Sequence, residues 1–283
     1  MKPVLKKIAG GLGGTLVLGY VGICAFMYAS QEELIFHPTA HAEQMATLCA
    51  SEQSEAFDLE RDEAELHGAL IVADVDAPAP VLMYFGGNAE AVDGRAEDYA
   101  WMRQAGVHLL LLPYRGYDGC SGSPSADGLR ADALAAYDRI AAHPKVDPTK
   151  IYALGYSLGS GVATHLAHER ELAGLMLAAP FRRLGEIAEG SYPWLPVASL
   201  IEHDFDSLGY APDIRTPLVV VHGDADTLIP MDHGKSLVDA WGGPARLVPL
   251  KGQGHNGSST HADAQQALRE MLGAQPKPSA NPS

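Results

Sequence analysis

Short, unbroken apolar runs recur along the chain, separated by stretches in which apolar residues return every three or four positions. The runs are VLMYF (81–85), VHLLLL (107–112), IYAL (151–154), LMLA (175–178), PLVVV (217–221) and RLVPL (246–250). A strand with one wet face alternates apolar and polar residues, whereas a continuous apolar run of this length predicts a strand buried on both faces. The segments between them, such as SADGLRADALAAYDRIAAH (125–143), have helical spacing. Strand and helix in alternation predict an α/β domain, a mostly parallel sheet with helices on both faces. Two earlier segments, AFDLE (56–60) and LHGALIVADV (66–75), predict a hairpin ahead of the parallel part, which brings the sheet to about eight strands. Residues 181–213 break the rhythm: they are too long for an ordinary connection and carry YPWLPV and IEHDFDSLGY. They predict a small cap of short helices, in which Trp194, Leu195 and Val197 either line an acyl pocket or pack as core.

The two ends of the chain read differently from its middle. Lys2, Lys6 and Lys7 precede residues 8–29, which carry no charged side chain and as a helix would reach roughly 33 Å, enough for a bilayer core. A cleaved signal peptide is the rival reading, but no small-residue cleavage site follows closely, and Ile23 before Cys24 makes a poor lipoprotein site. Residues 1–30 are therefore expected to be an uncleaved single-pass membrane anchor, with its N-terminus in the cytoplasm and the remaining chain on the non-cytoplasmic side. The folded domain is expected over 31–274, and QPKPSANPS (275–283) has the composition of a disordered tail. Twenty basic against 35 acidic residues give a net charge of −15, which removes the basic footprint that nucleic-acid binding needs. Of the three cysteines, Cys24 falls in the apolar N-terminal segment, and Cys49 and Cys120 are either a disulfide or two buried thiols.

The candidate chemistry lies in LGYSLGSG (154–161), where Ser157 sits between Gly155 and Gly159. The pattern alone could be a glycine-rich turn, but IYAL precedes it as a strand and LGSGVATHLAHER follows it as a helix. A strand-to-helix turn of this kind holds a nucleophilic serine in a sparsely allowed conformation, and the glycines remove side chains that would collide. A serine hydroxyl needs a base, and the base an orienting acid, here in the chain order serine, acid, histidine. VVVHGDADTLIP places Asp224 and Asp226 just past one strand, and VPLKGQGHNG places His255 just past the last. Open α/β sheets build their sites at such carboxyl ends. Leu158, directly after the serine, supplies one backbone N–H for an oxyanion, and the loop GGNAE after VLMYF supplies the other. The other histidines have plainer readings: His222 packs or caps within the acid segment, His165 and His168 are structural, and His233 and His261 fall at helix starts as surface residues. No paired metal-ligand spacing is present, and this chemistry requires neither metal nor cofactor.

Together these segments resemble an α/β-hydrolase-fold serine hydrolase from residue 31 to 272, and in particular the membrane-anchored subgroup of protein depalmitoylases and lysophospholipid lipases. QEELIFHP (31–38) is similar to the segment that follows the anchor there, and LPYRGYDGCSGSPS (112–125) resembles its tyrosine-arginine-glycine-tyrosine loop. The resemblance implies a triad of Ser157, Asp226 and His255, with Asp224 a turn residue and Asn88 the second oxyanion donor beside Leu158. Two departures stand out. Gly86-Gly87 replaces histidine-glycine before the asparagine, a change expected to loosen that loop, and Asp118 replaces a glycine. Arg115 is expected either to hold its loop through backbone carbonyls or to bind a substrate phosphate. The implied activity is hydrolysis of a carboxylic ester or thioester, on lipid or acylated substrates given the expected anchor. An acyltransferase with the same triad and a non-catalytic binding module on the same fold are the alternatives, and a peptidase has no support in the sequence.

Overall fold

In the computed structural model, which describes residues 2–274 and their side chains except those of 2–13 and 198, eight strands form one sheet. They are β1 (Ser54–Arg61), β2 (Ala64–Ile71), β3 (Ala79–Phe85), β4 (His108–Leu111), β5 (Val146–Tyr156), β6 (Gly174–Ala178), β7 (Leu218–Gly223) and β8 (Ala245–Leu250). The sheet order is β1-β2-β4-β3-β5-β6-β7-β8. β1, β2 and β4 pair antiparallel, and every other neighbour pairs parallel. The expected tail, 275–283, lies outside the described residues.

The apolar runs are explained by where successive side chains go. Val81, Met83, Leu175, Leu177 and Val220 join one core, while Leu82, Tyr84, Met176, Ala178, Val219 and Val221 join a second core on the opposite face. Met176 and Leu177, neighbours in β6, are both fully buried. Each such side chain contributes about 2–3 kcal/mol relative to exposure, so a polar residue on either face would be costly. Helices Ala126–Ala141 and Leu158–Glu169 cover the first core, and helix Ala262–Met271 packs on the second. Between β6 and β7 run three short helices, Leu184–Ser191, Val197–Leu200 and Ser207–Tyr210.

The N-terminal helix, Lys2–Ala29, requires a correction. Among the described residues no helix is long and apolar enough to cross a membrane, so the expected single-pass anchor and the sidedness derived from it do not hold. The segment lacks charge, but Gly10, Gly11, Gly13, Gly14, Gly19, Gly22 and Thr15 add little apolar surface to it. The later part of this helix is tied to the segment between β6 and β7: the Tyr20 hydroxyl donates to the Trp194 carbonyl at 3.0 Å, and the Tyr28 hydroxyl donates to Glu202. Gln31, nine-tenths buried, accepts the Glu202 N–H at 2.8 Å and donates to the Tyr28 carbonyl at 3.0 Å.

Candidate active site

Ser157 follows β5 and begins helix Leu158–Glu169 with φ +50° and ψ −114°. This left-handed backbone is rare for a residue with a side chain and costs of order 1–3 kcal/mol, so the surroundings must hold it. The Ser157 N–H donates to the Ala178 carbonyl at 3.0 Å, and the Ser157 carbonyl accepts from the Ser160 N–H and hydroxyl at 2.9 and 2.6 Å. The glycines are needed for close approach. A Cβ on Gly155 would lie 2.4 Å from the Gly159 oxygen, and one on Gly159 would lie 2.1 Å from the Phe85 oxygen.

The loops after β7 and β8 carry the partners. β8 lies three strands from β5, roughly 14 Å at ordinary strand spacing, so the residues after it must fold back across the sheet edge. Hydrogen bonds between the two loops hold this fold-back: the Ala225 N–H donates to the Gln253 carbonyl at 3.1 Å, and the Asp224 carboxylate accepts the Gly252 N–H at 2.6 Å. Asp224 is thus a turn residue. His255 Nε2 then stands 2.9 Å from Ser157 Oγ, and Nδ1 stands 2.8 Å from Asp226 Oδ2. A carboxylate acceptor at Nδ1 places the proton there and leaves Nε2 to accept from the serine hydroxyl. The other Asp226 oxygen accepts the Leu228 and Ile229 N–H groups at 3.0 and 2.9 Å.

Burial alone would raise the pKa of Asp226, but the neighbouring His222 ring and the hydrogen bonds from His255 and the Ile229 N–H outweigh it and hold the carboxyl well below the usual carboxylate range. A carboxyl depressed in the folded state stabilises the fold above its unfolded value, about 3.9, and that contribution is lost as pH falls. Asp226→Asn is therefore expected to unfold with a shallower dependence on pH below about 4 than the parent, a difference that denaturant titrations at several acidic pH values will read. His222, fully buried, is 3.5 Å from Asp226 Oδ2 and donates from Nε2 to the Ile229 carbonyl at 2.7 Å, which closes the loop around the carboxylate.

Ser157, Leu158 and Asn88 share the floor of a cleft of about 400 Å³. Its walls are largely apolar and come from two segments distant in the chain: Met27, Tyr28, Leu34 and Ile35 from one, and Leu184, Ile187, Leu195, Val197, Leu200 and Ile201 from the other. Leu195 and Val197 line it, whereas Trp194 is 55% exposed and does not. The loop of Asn88 is not loosened by the missing histidine. The Asn88 side chain donates to the Ile35 carbonyl at 2.6 Å and accepts from the His37 N–H and the Tyr117 hydroxyl at 2.9 and 3.0 Å. The Leu158 N–H belongs to the first turn of its helix, where the backbone offers no acceptor.

Other residues sit differently from the sequence expectation. Arg115 makes a two-pronged bond to the Asp132 carboxylate at 2.8 and 2.7 Å, so it holds its loop through a side chain and not through backbone carbonyls. His233 is buried, not on the surface, because its Nδ1 accepts the Arg182 N–H at 3.2 Å. Asp118, at φ +47°, accepts the His41 N–H at 3.0 Å and donates its own N–H to the Thr39 carbonyl at 2.9 Å, which explains why a side chain occupies a position suited to glycine. Cys49 and Cys120 are free thiols. Gln31 and Glu90 have no local signal in the sequence, since their partners lie across the fold or depend on a loop shape.

No family model matches the chain. An uncharacterized protein of Mycobacterium tuberculosis is 33% identical over 235 residues, 83% of this chain and 84% of its own length. The lysophosphatidylserine lipase ABHD12 of Xenopus tropicalis is 32% identical over 228 residues, 69% of this chain and 58% of that protein, so the chain spans little more than half of this lipase's length. Among solved structures, acetyl xylan esterase 1 of Thermoanaerobacterium sp. aligns with a TM-score of 0.64 over 84% of this chain and 95% of that one. At 14% identity this is a likeness of fold alone.

Proposed function

We propose that this chain, which belongs to the α/β-hydrolase family of enzymes, cleaves an ester or thioester of a single acyl chain through Ser157, His255 and Asp226. The observation that supports this reading most directly is the unbroken line of hydrogen bonds Ser157–His255–Asp226, with Ser157 itself lining an apolar cleft. The Ser157 hydroxyl attacks the carbonyl carbon while its proton passes to His255 Nε2. Asp226 holds the imidazole orientation and offsets the positive charge it acquires. The N–H groups of Leu158 and Asn88 receive the developing oxyanion, each donor contributing roughly 3–4 kcal/mol in well-studied sites. His255 then protonates the leaving alcohol or thiol, and water, deprotonated by the same imidazole, releases the acyl group from the serine. An intact line of three partners also weighs against a non-catalytic binding role.

The apolar walls support an acyl chain as the group held in the cleft, since such pockets take apolar ligands and leave a few polar atoms to orient the reacting bond. The relative named as a lysophosphatidylserine lipase fits a lipid ester as the substrate. The test is a series of acyl esters and acyl thioesters of increasing chain length. It must use the chain with residues 1–30 in place, because Met27 and Tyr28 form part of the cleft wall. Turnover is expected to rise with chain length, and a preference for acetyl esters would remove the acyl-cleft reading. Ala188 also lines the cleft, and Ala188→Trp is expected to lower kcat/KM for long-chain esters by about tenfold or more while leaving acetyl esters within about threefold, since filling a pocket of this kind excludes only what must enter it.

A further inference from the structure

Asn88 can serve an oxyanion only if its loop keeps one shape, and GGNAE is poor in the side chains that usually fix a loop. Ala89, next to it, is held at φ +55°. The anchor comes from the last residue of that stretch. Glu90, with its side chain only 9% exposed, folds back so that Oε2 accepts the Gly87 N–H. Its Oε1 accepts from the Tyr84 hydroxyl at 2.7 Å and from Arg95 Nε at 2.6 Å. Tyr84 is buried in β3, so the carboxylate is tied to the rigid sheet, and Arg95 balances its charge. On the other side of the loop, the Tyr114 hydroxyl donates to the Gly86 carbonyl at 2.8 Å.

The geometry points to Glu90 as a positioning residue for the oxyanion site: by holding the Gly87 N–H in a carboxylate clamp fastened to Tyr84 and Arg95, it fixes the peptide that presents the Asn88 N–H to the carbonyl bound above Ser157. The inference rests on the triad reading given above. It assigns to Glu90 the stiffening that an imidazole before the asparagine would otherwise supply. Without the clamp, the Gly87 amide loses its tie to the sheet, Asn88 is held through its side chain alone, and the second oxyanion donor is in place only part of the time. The ester in its ground state gains little from that donor, so the loss falls on the transition state.

The test compares the parent chain, Glu90→Gln, Glu90→Ala and Ser157→Ala on one medium-chain p-nitrophenyl ester, with thermal melts of each. It adds inhibition by a trifluoromethyl ketone, whose carbonyl takes up the Ser157 oxygen while the hydroxyl proton passes to His255, leaving an alkoxide in the oxyanion position. Both Glu90 variants are expected to lose about 10- to 100-fold in kcat with KM within twofold, and ketone affinity is expected to weaken by the same factor as kcat/KM. Tyr84→Phe, which removes one of the two bonds to Oε1 but leaves those from Arg95 and the Gly87 N–H, is expected to lose less than either. Wild-type kcat and ketone affinity in both Glu90 variants, or a loss of kcat that only follows the folded fraction, would overturn the assignment. Full turnover by Ser157→Ala would defeat the triad reading itself, whereas an inactive Ser157→Ala beside a fully active Glu90→Gln defeats only the role given to Glu90.

Discussion

Ser157→Ala is expected to lower kcat/KM for acyl esters by about 10⁴-fold or more while leaving the thermal midpoint nearly unchanged. The substitution removes only the hydroxyl that faces His255 Nε2 at 2.9 Å. Alanine keeps the same Cβ and inherits the same strained backbone at φ +50°, so the folded state neither gains nor loses much. Ser157→Gly separates chemistry from strain. It should be equally inactive, yet more stable than Ser157→Ala by about 1 kcal/mol, because the left-handed region carries little penalty for glycine. Steady-state kinetics and denaturant titrations of the two variants check both halves of the statement. Turnover of Ser157→Ala at even a tenth of the parent rate would require another nucleophile.

Gly159→Ala is expected to be among the most damaging single-methyl substitutions in the domain. Its Cβ would stand 2.1 Å from the Phe85 oxygen, 2.5 Å from the Phe85 carbonyl carbon and 2.6 Å from the Gly86 oxygen. All three are backbone atoms, so no side-chain rotation relieves the contact, and helix Leu158–Glu169 must move away from the end of β3. Overpacking of this kind costs about 3 kcal/mol or more, and it displaces both segments that carry the proposed oxyanion donors. A fall in the midpoint of about 6–12 °C is expected, together with a loss of activity in whatever remains folded. Gly190→Ala is the matched control. It lies in helix Leu184–Ser191 with nothing within 4 Å of the added carbon, and should raise stability by a few tenths to 1 kcal/mol.

The strands were legible because burial on both faces leaves a composition that needs no knowledge of neighbours. β6 lies within one residue of its apolar run, since Leu175 and Met176 must each face a core. β5 begins earlier than its run, at Val146, because Val146 pairs with Ala79 of β3 ahead of a register shift that passes over residues 147–150, and this pairing has no apolar period to announce it. Gly155 and Gly159 were legible as a close approach, but not what they approach: the atoms they meet belong to helix Leu158–Glu169 itself and to the end of β3. The N-terminal segment misled for a physical reason. Absence of charge resembles hydrophobicity in a sequence, but the two differ where glycine fills the gaps.

The sequence by itself determined the layering of the sheet, the turn that carries Ser157 and the chain order of the residues that could answer it, because these follow from side-chain period, backbone freedom and local spacing. Only the tertiary structure decided that His255 folds back across the sheet edge to reach Ser157, that Asp226 and not Asp224 faces its imidazole, that Glu90 and Tyr84 clamp the Asn88 loop, and that residues 27–35 complete the wall of the cleft. Each of those outcomes depends on hydrogen bonds or packing between segments distant in the chain or joined through a loop. Such contacts leave no periodic trace, because the residues that make them are chosen by geometry at one point and not by the repeat of a helix or a strand.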